Sequence, residues 1–323
     1  MTVEVRSLVA VGILVAVLSL LGCDPTAADG GGVDAPTDNR VAIPDAPDSG
    51  LGMQFVMPEW TVPAGEELMW CWVTEWTPEQ DVMVTGFQGF QAELGGHHLV
   101  ALGTSVPFEA NYAYDCTDLD SMNALEPLVL PDPGQQSHLP EGYAVRVPAG
   151  NQVVLQSHYV NYTDQDLLVA DVVHLYFADA TADVVEASYV ILNHGALELE
   201  QGLVEAEVGC VMPADQAEYN VTSLFGHMHE LGSSLRIDVD QGAGLERLYE
   251  IEQWDVDFRD VPPITHWEPT EPLTLQAGDQ LHLGCSFNNT TGHVVHFPEE
   301  MCTAVALYYP ASADGLVLCS EEG

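Results

Sequence analysis

The sequence predicts an all-β protein built from two tandem antiparallel β-sandwiches. Three observations predict it. No long helical periodicity runs through the 323 residues. Instead, short runs of Val, Leu, Tyr and Phe at 143–163, 167–178, 184–192 and 303–311 are punctuated by Gly, Pro, Asn and Asp, the pattern of strands joined by turns. Finally, "VPAGNQVVLQSHYVNYT" (147–163) is echoed by "LQAGDQLHLGCSFNNTT" (275–291) at a constant offset of 128 residues. The Ala-Gly-(Asn/Asp)-Gln turn matches, as do Leu155 and Leu283, Tyr159 and Phe287, Asn161 and Asn289, and Thr163 and Thr291. "VPAGEELMWC" (62–71) is a shorter third version. A common hairpin turn accounts for part of this; two sandwiches of one design account for all of it.

The elements follow in chain order. Residues 1–22 contain the apolar run "LVAVGILVAVLSLLG", too short to span a bilayer comfortably, and read as a secretory leader. It ends in Leu-Leu-Gly-Cys, which resembles a bacterial lipobox and makes Cys23 the expected lipid-anchored residue. Residues 23–52 are rich in Asp, Pro, Gly and Ala, so they are expected to be a flexible acidic tether, with the folded part starting near Met53. The two sandwiches are expected at 53–180 and 181–323, with "DATAD" (179–183) at the boundary.

Fifty acidic residues face six basic ones, all Arg, for a net charge of −44. The leader holds one of each sign, so its removal leaves that charge unchanged. Nucleic acid is thereby excluded as a partner. The acids are spread along the chain, which reads as a solvated surface suited to a salty medium. Apart from Cys23 there are six cysteines, an even number in an exported chain, which suggests disulfides. Their spread suggests one bridge in the first half and two in the second, among the fifteen possible pairings. No CxxC spacing is present, which argues against a thiolate zinc site.

Histidine placement carries the chemistry. In "SLFGHMHELGSSLRI" (223–237), His227 and His229 stand two apart, so on a strand both rings project from one face. They are either a structural pair or two metal ligands. In "GGHHLVALG" (95–103), His97 and His98 are adjacent. Both reach one metal only at a strand end or bulge, which Gly95 and Gly96 permit. "VLQSHYVNY" (154–162) adds His158, with Gln156 on the same face. In "FPEEMCTAVALYY" (297–309), Met301 precedes Cys302; a lone Met is ordinarily core. His293 and His296 lie close enough in sequence to rival Met301 as ligands. His138, His174, His194, His266 and His282 read as ordinary polar or surface residues.

In order, His-His, Leu-Gln-x-His-Tyr, His-x-His-x-Leu-Gly and Glu-Met-Cys resemble the copper type II, ascorbate-dependent monooxygenases, the family of the peptidylglycine alpha-hydroxylating and dopamine beta-monooxygenases. The resemblance runs from about Phe55 to Cys319. It implies one copper held by His97, His98 and His158, acting as an electron store. It implies a second held by His227, His229 and Met301, where oxygen and substrate react, and a role for Gln156 in electron transfer. It also implies two jelly-roll-like sandwiches facing across a cleft, and the bridges Cys71–Cys116, Cys210–Cys319 and Cys285–Cys302. The donor set agrees: imidazole suits copper in both oxidation states, a thioether favours Cu(I), and zinc rarely takes Met.

The departures bear on substrate. The family's peptide enzyme clamps a carboxylate with an Arg where this chain has Phe225, and holds its peptide with an Asn and a Tyr where this chain has Thr303 and Val305. Phe225 makes no bidentate charged pair. The expected activity is hydroxylation of an sp3 C–H in a small organic molecule other than a glycine-extended peptide, with O2 and a one-electron reductant such as ascorbate. The alternative is a copper-binding or electron-transfer lipoprotein without catalysis.

Overall fold

The strands start and stop where Gly, Pro, Asn and Asp break the apolar runs, and no α-helix occurs among the described residues of the computed structural model. Those residues are 35–116, 125–129, 136–259, 261–297, 299–313 and 315–320. The expected leader, and Cys23 with its expected lipid anchor, lie outside them. One 3-10 turn, Val256–Arg259, interrupts an otherwise all-β sandwich chain of mostly antiparallel sheets. No helix among the described residues is long and apolar enough to cross a membrane.

Strand pairing begins earlier than composition suggests. Thr37–Asp38 pairs in parallel with Leu167–Val169, and the ordered contacts form one unit from Pro36 onward. The stretch expected to be a tether up to residue 52 is therefore partly bound. Edge pairing uses backbone groups, such as Asn39 N–H to the Leu168 carbonyl at 2.9 Å, and needs no large apolar side chain.

Two large apolar clusters fill the body. One gathers Phe55, Phe87, Leu155, Tyr159 and Leu175 with Tyr189, Val305 and Leu307; the other gathers Leu192, Tyr219, Leu235, Leu283, Phe287 and Tyr308. Residues 178–184 connect the last strand of the first half to Val185–Asn193, yet hydrogen bonding continues across them, because Tyr143–Val147 pairs with Val185–Asn193 in parallel. The central strands Val185–Asn193, Thr303–Tyr309 and Glu218–His227 lie side by side. Side-chain alternation then gives Ala304, Ala306 and Tyr308 to one cluster and Val305 and Leu307 to the other.

The sequence echo has a structural counterpart. Gly150 and Gly278 hold φ of 87° and 91° in matching turns, a backbone region that glycine enters without strain. They feed the strands Gln152–Val160 and Gln280–Asn289. Asn161 and Asn289, each about 1% exposed, make the same clasp. Each amide donates to the carbonyl four residues on, Gln165 or His293, and each side-chain oxygen accepts from the Thr two residues on. The three disulfides are Cys71–Cys116, Cys210–Cys319 and Cys285–Cys302, as the family resemblance implied, and they place the protein in an oxidising compartment.

Candidate metal centre

The His158 strand, Gln152–Val160, lies between Glu67–Val73 and Gly96–Thr104. His158 sits directly opposite His98, and Tyr159 opposite Gly96, so His97 is the extra residue of a bulge. The bulge turns its ring to the same side. Only Gly fits before it: a Cβ on Gly96 would meet the Ala92 carbonyl oxygen at 2.2 Å. The ring centroid of His158 lies 4.8 Å from both His97 and His98, and one ligand nitrogen from each ring lies within 4.8 Å of the others.

Hydrogen bonds decide which nitrogen faces inward. His158 Nε2–H donates to Glu67 Oε1 at 2.7 Å, so the Nδ1 lone pair is left facing His98 Nδ1 at 3.4 Å. Burial pushes His158 down to about 4, against the Glu67 hydrogen bond, so the ring is neutral and able to ligate at neutral pH. Glu67 in turn is lowered, chiefly by that hydrogen bond.

Beneath the rings, Gln91 Nε2 donates to the His158 carbonyl at 3.0 Å, the His98 carbonyl at 3.3 Å and Ser157 Oγ at 3.1 Å. Ser157 and Tyr159 donate to the two oxygens of buried Asp171 at 2.5 and 2.6 Å. Desolvation pushes Asp171 up to about 6 against those hydrogen bonds. Gln156 is buried on the His158 face, its amide 3.8 Å from Cys116 Sγ.

The second set lies at the end of the Glu218–His227 strand. His227 and His229 have ring centroids 5.1 Å apart and nearly perpendicular. His229 Nδ1–H donates to the Glu299 carbonyl at 3.0 Å, leaving Nε2 as the acceptor. Its own carbonyl accepts from Trp254 Nε1 at 3.0 Å, and burial lowers its pKa. Glu300 is fully buried and accepts three backbone N–H groups, those of His229, of Leu231 at 2.8 Å and of Met301 at 2.9 Å. Desolvation pushes its carboxyl up to about 7 against these donors. Met301 is half-buried and shares this carboxylate with His229.

The two sets are linked. Arg259 Nη2 lies 3.0 Å from His97 Nε2, while Nη1 pairs with Glu230, next to His229, and lies 3.8 Å from Glu67. His293 and His296 face outward, His293 lying 3.3 Å from Glu299. His174 is buried against Phe90 rather than exposed. Among the described residues, His97, His98 and His158 form the cluster of three His, Cys, Asp or Glu side chains able to hold a metal. Sequence reasoning missed Glu67, Gln91, Asp171, Arg259 and Glu300.

No family model matches the chain, and no curated protein matches it. Solved structures with some similarity include infectious bursal disease virus of the Gt strain, 8% identical, covering 86% of this chain and 81% of that chain at a TM-score of 0.19. Another is the Gx strain of the same virus, 9% identical, covering 84% and 78% at 0.19. Likeness at that level carries no argument about the chemistry.

Proposed function

We propose that the chain is an exported β-sandwich oxidoreductase with two copper sites. More particularly, it is a monooxygenase tethered to the bacterial cell envelope through a lipid on Cys23. Its reaction converts an sp3 C–H and O2 into C–OH and water, with two protons and two electrons from a one-electron reductant such as ascorbate. The observation that carries this reading is the convergence of His97, His98 and His158 on one point, with the His158 ring neutral and braced by Glu67.

The donor chemistry fits copper at both places. Three imidazoles suit it in the first, and two imidazoles beside a thioether suit Cu(I) in the second. Bound copper supplies one-electron redox chemistry and activates dioxygen. The protein's own residues do the positioning. His158 is oriented by Glu67, and His229 by the Glu299 carbonyl.

The sheet beside His227 supplies a substrate floor. Thr303 lies between His227 and Asn193, Val305 between Phe225 and Ile191, and Leu307 between Ser223 and Tyr189. Each row lies about 7 Å from the next. A cavity of about 350 Å³ is lined by Phe225, Val305, Leu307 and Tyr189 together with His138, His266, Trp267 and Glu268. No Arg or Lys lines it. Its apolar residues suit an apolar molecule, and it offers a carboxylate no Arg or Lys.

The test is copper stoichiometry with X-ray absorption on the reduced protein, wild type beside Met301→Ala. The expected result is copper at both sites, a Cu–S signal that vanishes in the variant, and ascorbate-driven hydroxylation lost with it. A wild type without sulfur scattering, or a variant with full activity, overturns the assignment.

A further inference from the structure

Glu300 is an acidic side chain with no exposed surface, in a protein whose other acids are mostly solvated. A buried carboxylate is costly unless its oxygens are filled by donors. Here the donors are all backbone. Oε1 accepts the N–H of His229 and, at 2.9 Å, that of Met301; Oε2 accepts the N–H of Leu231 at 2.8 Å. One carboxylate therefore joins two segments about seventy positions apart. The neighbouring contacts have the same sense. The Glu299 carbonyl orients the His229 ring, and Cys302 anchors the segment through its bridge to Cys285. Residues 299–302 thus hold His229 by backbone and ring while carrying Met301.

From this geometry we infer that Glu300 is the positioning residue of the second site, setting Met301 against His229 by clasping both backbones; the inference rests on the copper reading of that site. Gln at this position keeps the shape, but its NH2 turns a donor toward a backbone N–H, so one arm of the clasp becomes repulsive.

The experiment compares wild type with Glu300→Gln by copper titration and X-ray absorption on the reduced protein, with thermal melting alongside. The expected result is about a 10–100-fold loss of copper affinity at the second site and loss of Cu–S scattering, with the three-histidine site unchanged. A lowered melting temperature with both coppers and the Cu–S signal kept overturns the positioning role and leaves Glu300 structural. A wild type lacking Cu–S scattering overturns the copper reading and this role together, whereas a signal present in both proteins overturns this role alone. Amide hydrogen exchange on the wild type tests the clasp independently of whether the variant folds. Protection at His229 and Leu231 well above that of the neighbouring turn amides is expected, and exchange at turn rates overturns it.

Discussion

The strands Gln152–Val160 and Gln280–Asn289 share a design, 128 residues apart, and differ in what they carry. Both are central, both follow a left-handed Gly turn, and both end in the same Asn clasp. The first is buried at every position and holds His158; the second is partly exposed, and Ser286 stands at the matching place. The second candidate set is instead built on the Glu218–His227 strand and the segment before Thr303. A repeated turn-and-strand unit therefore does not dictate where the candidate ligands stand; local irregularity and bracing do. In the first half a bulge turns His97 inward, and side chains brace the rings and their carbonyls. In the second half a single carboxylate braces backbone amides.

The sharpest way to break that contrast is to remove the brace under the first site. Asp171→Ala leaves the buried hydroxyls of Ser157 and Tyr159 without their acceptor. Urea denaturation is expected to show a loss of about 3 kcal/mol. Copper at His227, His229 and Met301 should be unaffected. A loss below about 1 kcal/mol would mean that this network braces nothing.

A second effect of similar size is read by pH. Burial lowers His158 to about 4, so its neutral form is favoured in the folded state. The unfolded chain then binds more protons in acid. This contribution, about 3 kcal/mol, is present above the unfolded value of about 6.5 and is lost as pH falls through about 4. Asp171 and Glu300 have the opposite sign. Burial raises them to about 6 and about 7, so their contribution is present below the usual carboxylate range and is lost as pH rises through those values. In chelator-treated protein, melting temperature against pH should show a shallower acid limb between pH 6.5 and 4 for His158→Gln than for wild type. Parallel curves would mean that His158 is not buried neutral.

The sequence exposes the candidate ligands and hides their supports, for a physical reason. His97, His98, His158, His227 and His229 are read from local spacing, because strand alternation and a Gly-Gly bulge are written within a few residues. The turn echo is local too, and so were the all-β pattern and the disulfide count. Gln91 reaches His158 across 67 positions, Glu67 across 91, and Glu300 reaches His229 across 71. Nothing local marks these as contacts. The one hint at Glu300 is an acid embedded between Phe297 and the apolar run after Cys302, where solvation is hard to supply. The tether was misjudged at its C-terminal end because backbone pairing leaves no compositional trace.

A smaller effect tests the carbonyl braces. Gln91→Ala removes donors to the backbone of both His98 and His158 while leaving every ligand in place. Copper affinity at the first site is expected to fall about tenfold to a hundredfold, with the second site unchanged. Equal losses at both sites would show a general weakening of the fold instead of a local brace.

The smallest effect is expected at Glu67, and its size sharpens what that residue is. Its side chain is about half exposed, and its carboxylate accepts from His158 Nε2 on the side of the ring away from His98. Glu67→Gln keeps an acceptor oxygen there, so the ring orientation survives and only the charge is lost. Water screens that charge, so melting should not move measurably, and first-site copper affinity should fall less than about tenfold. A loss beyond about a hundredfold would instead mean that the carboxylate reaches the metal itself, and that the first site has a fourth donor which the three-histidine arrangement does not include.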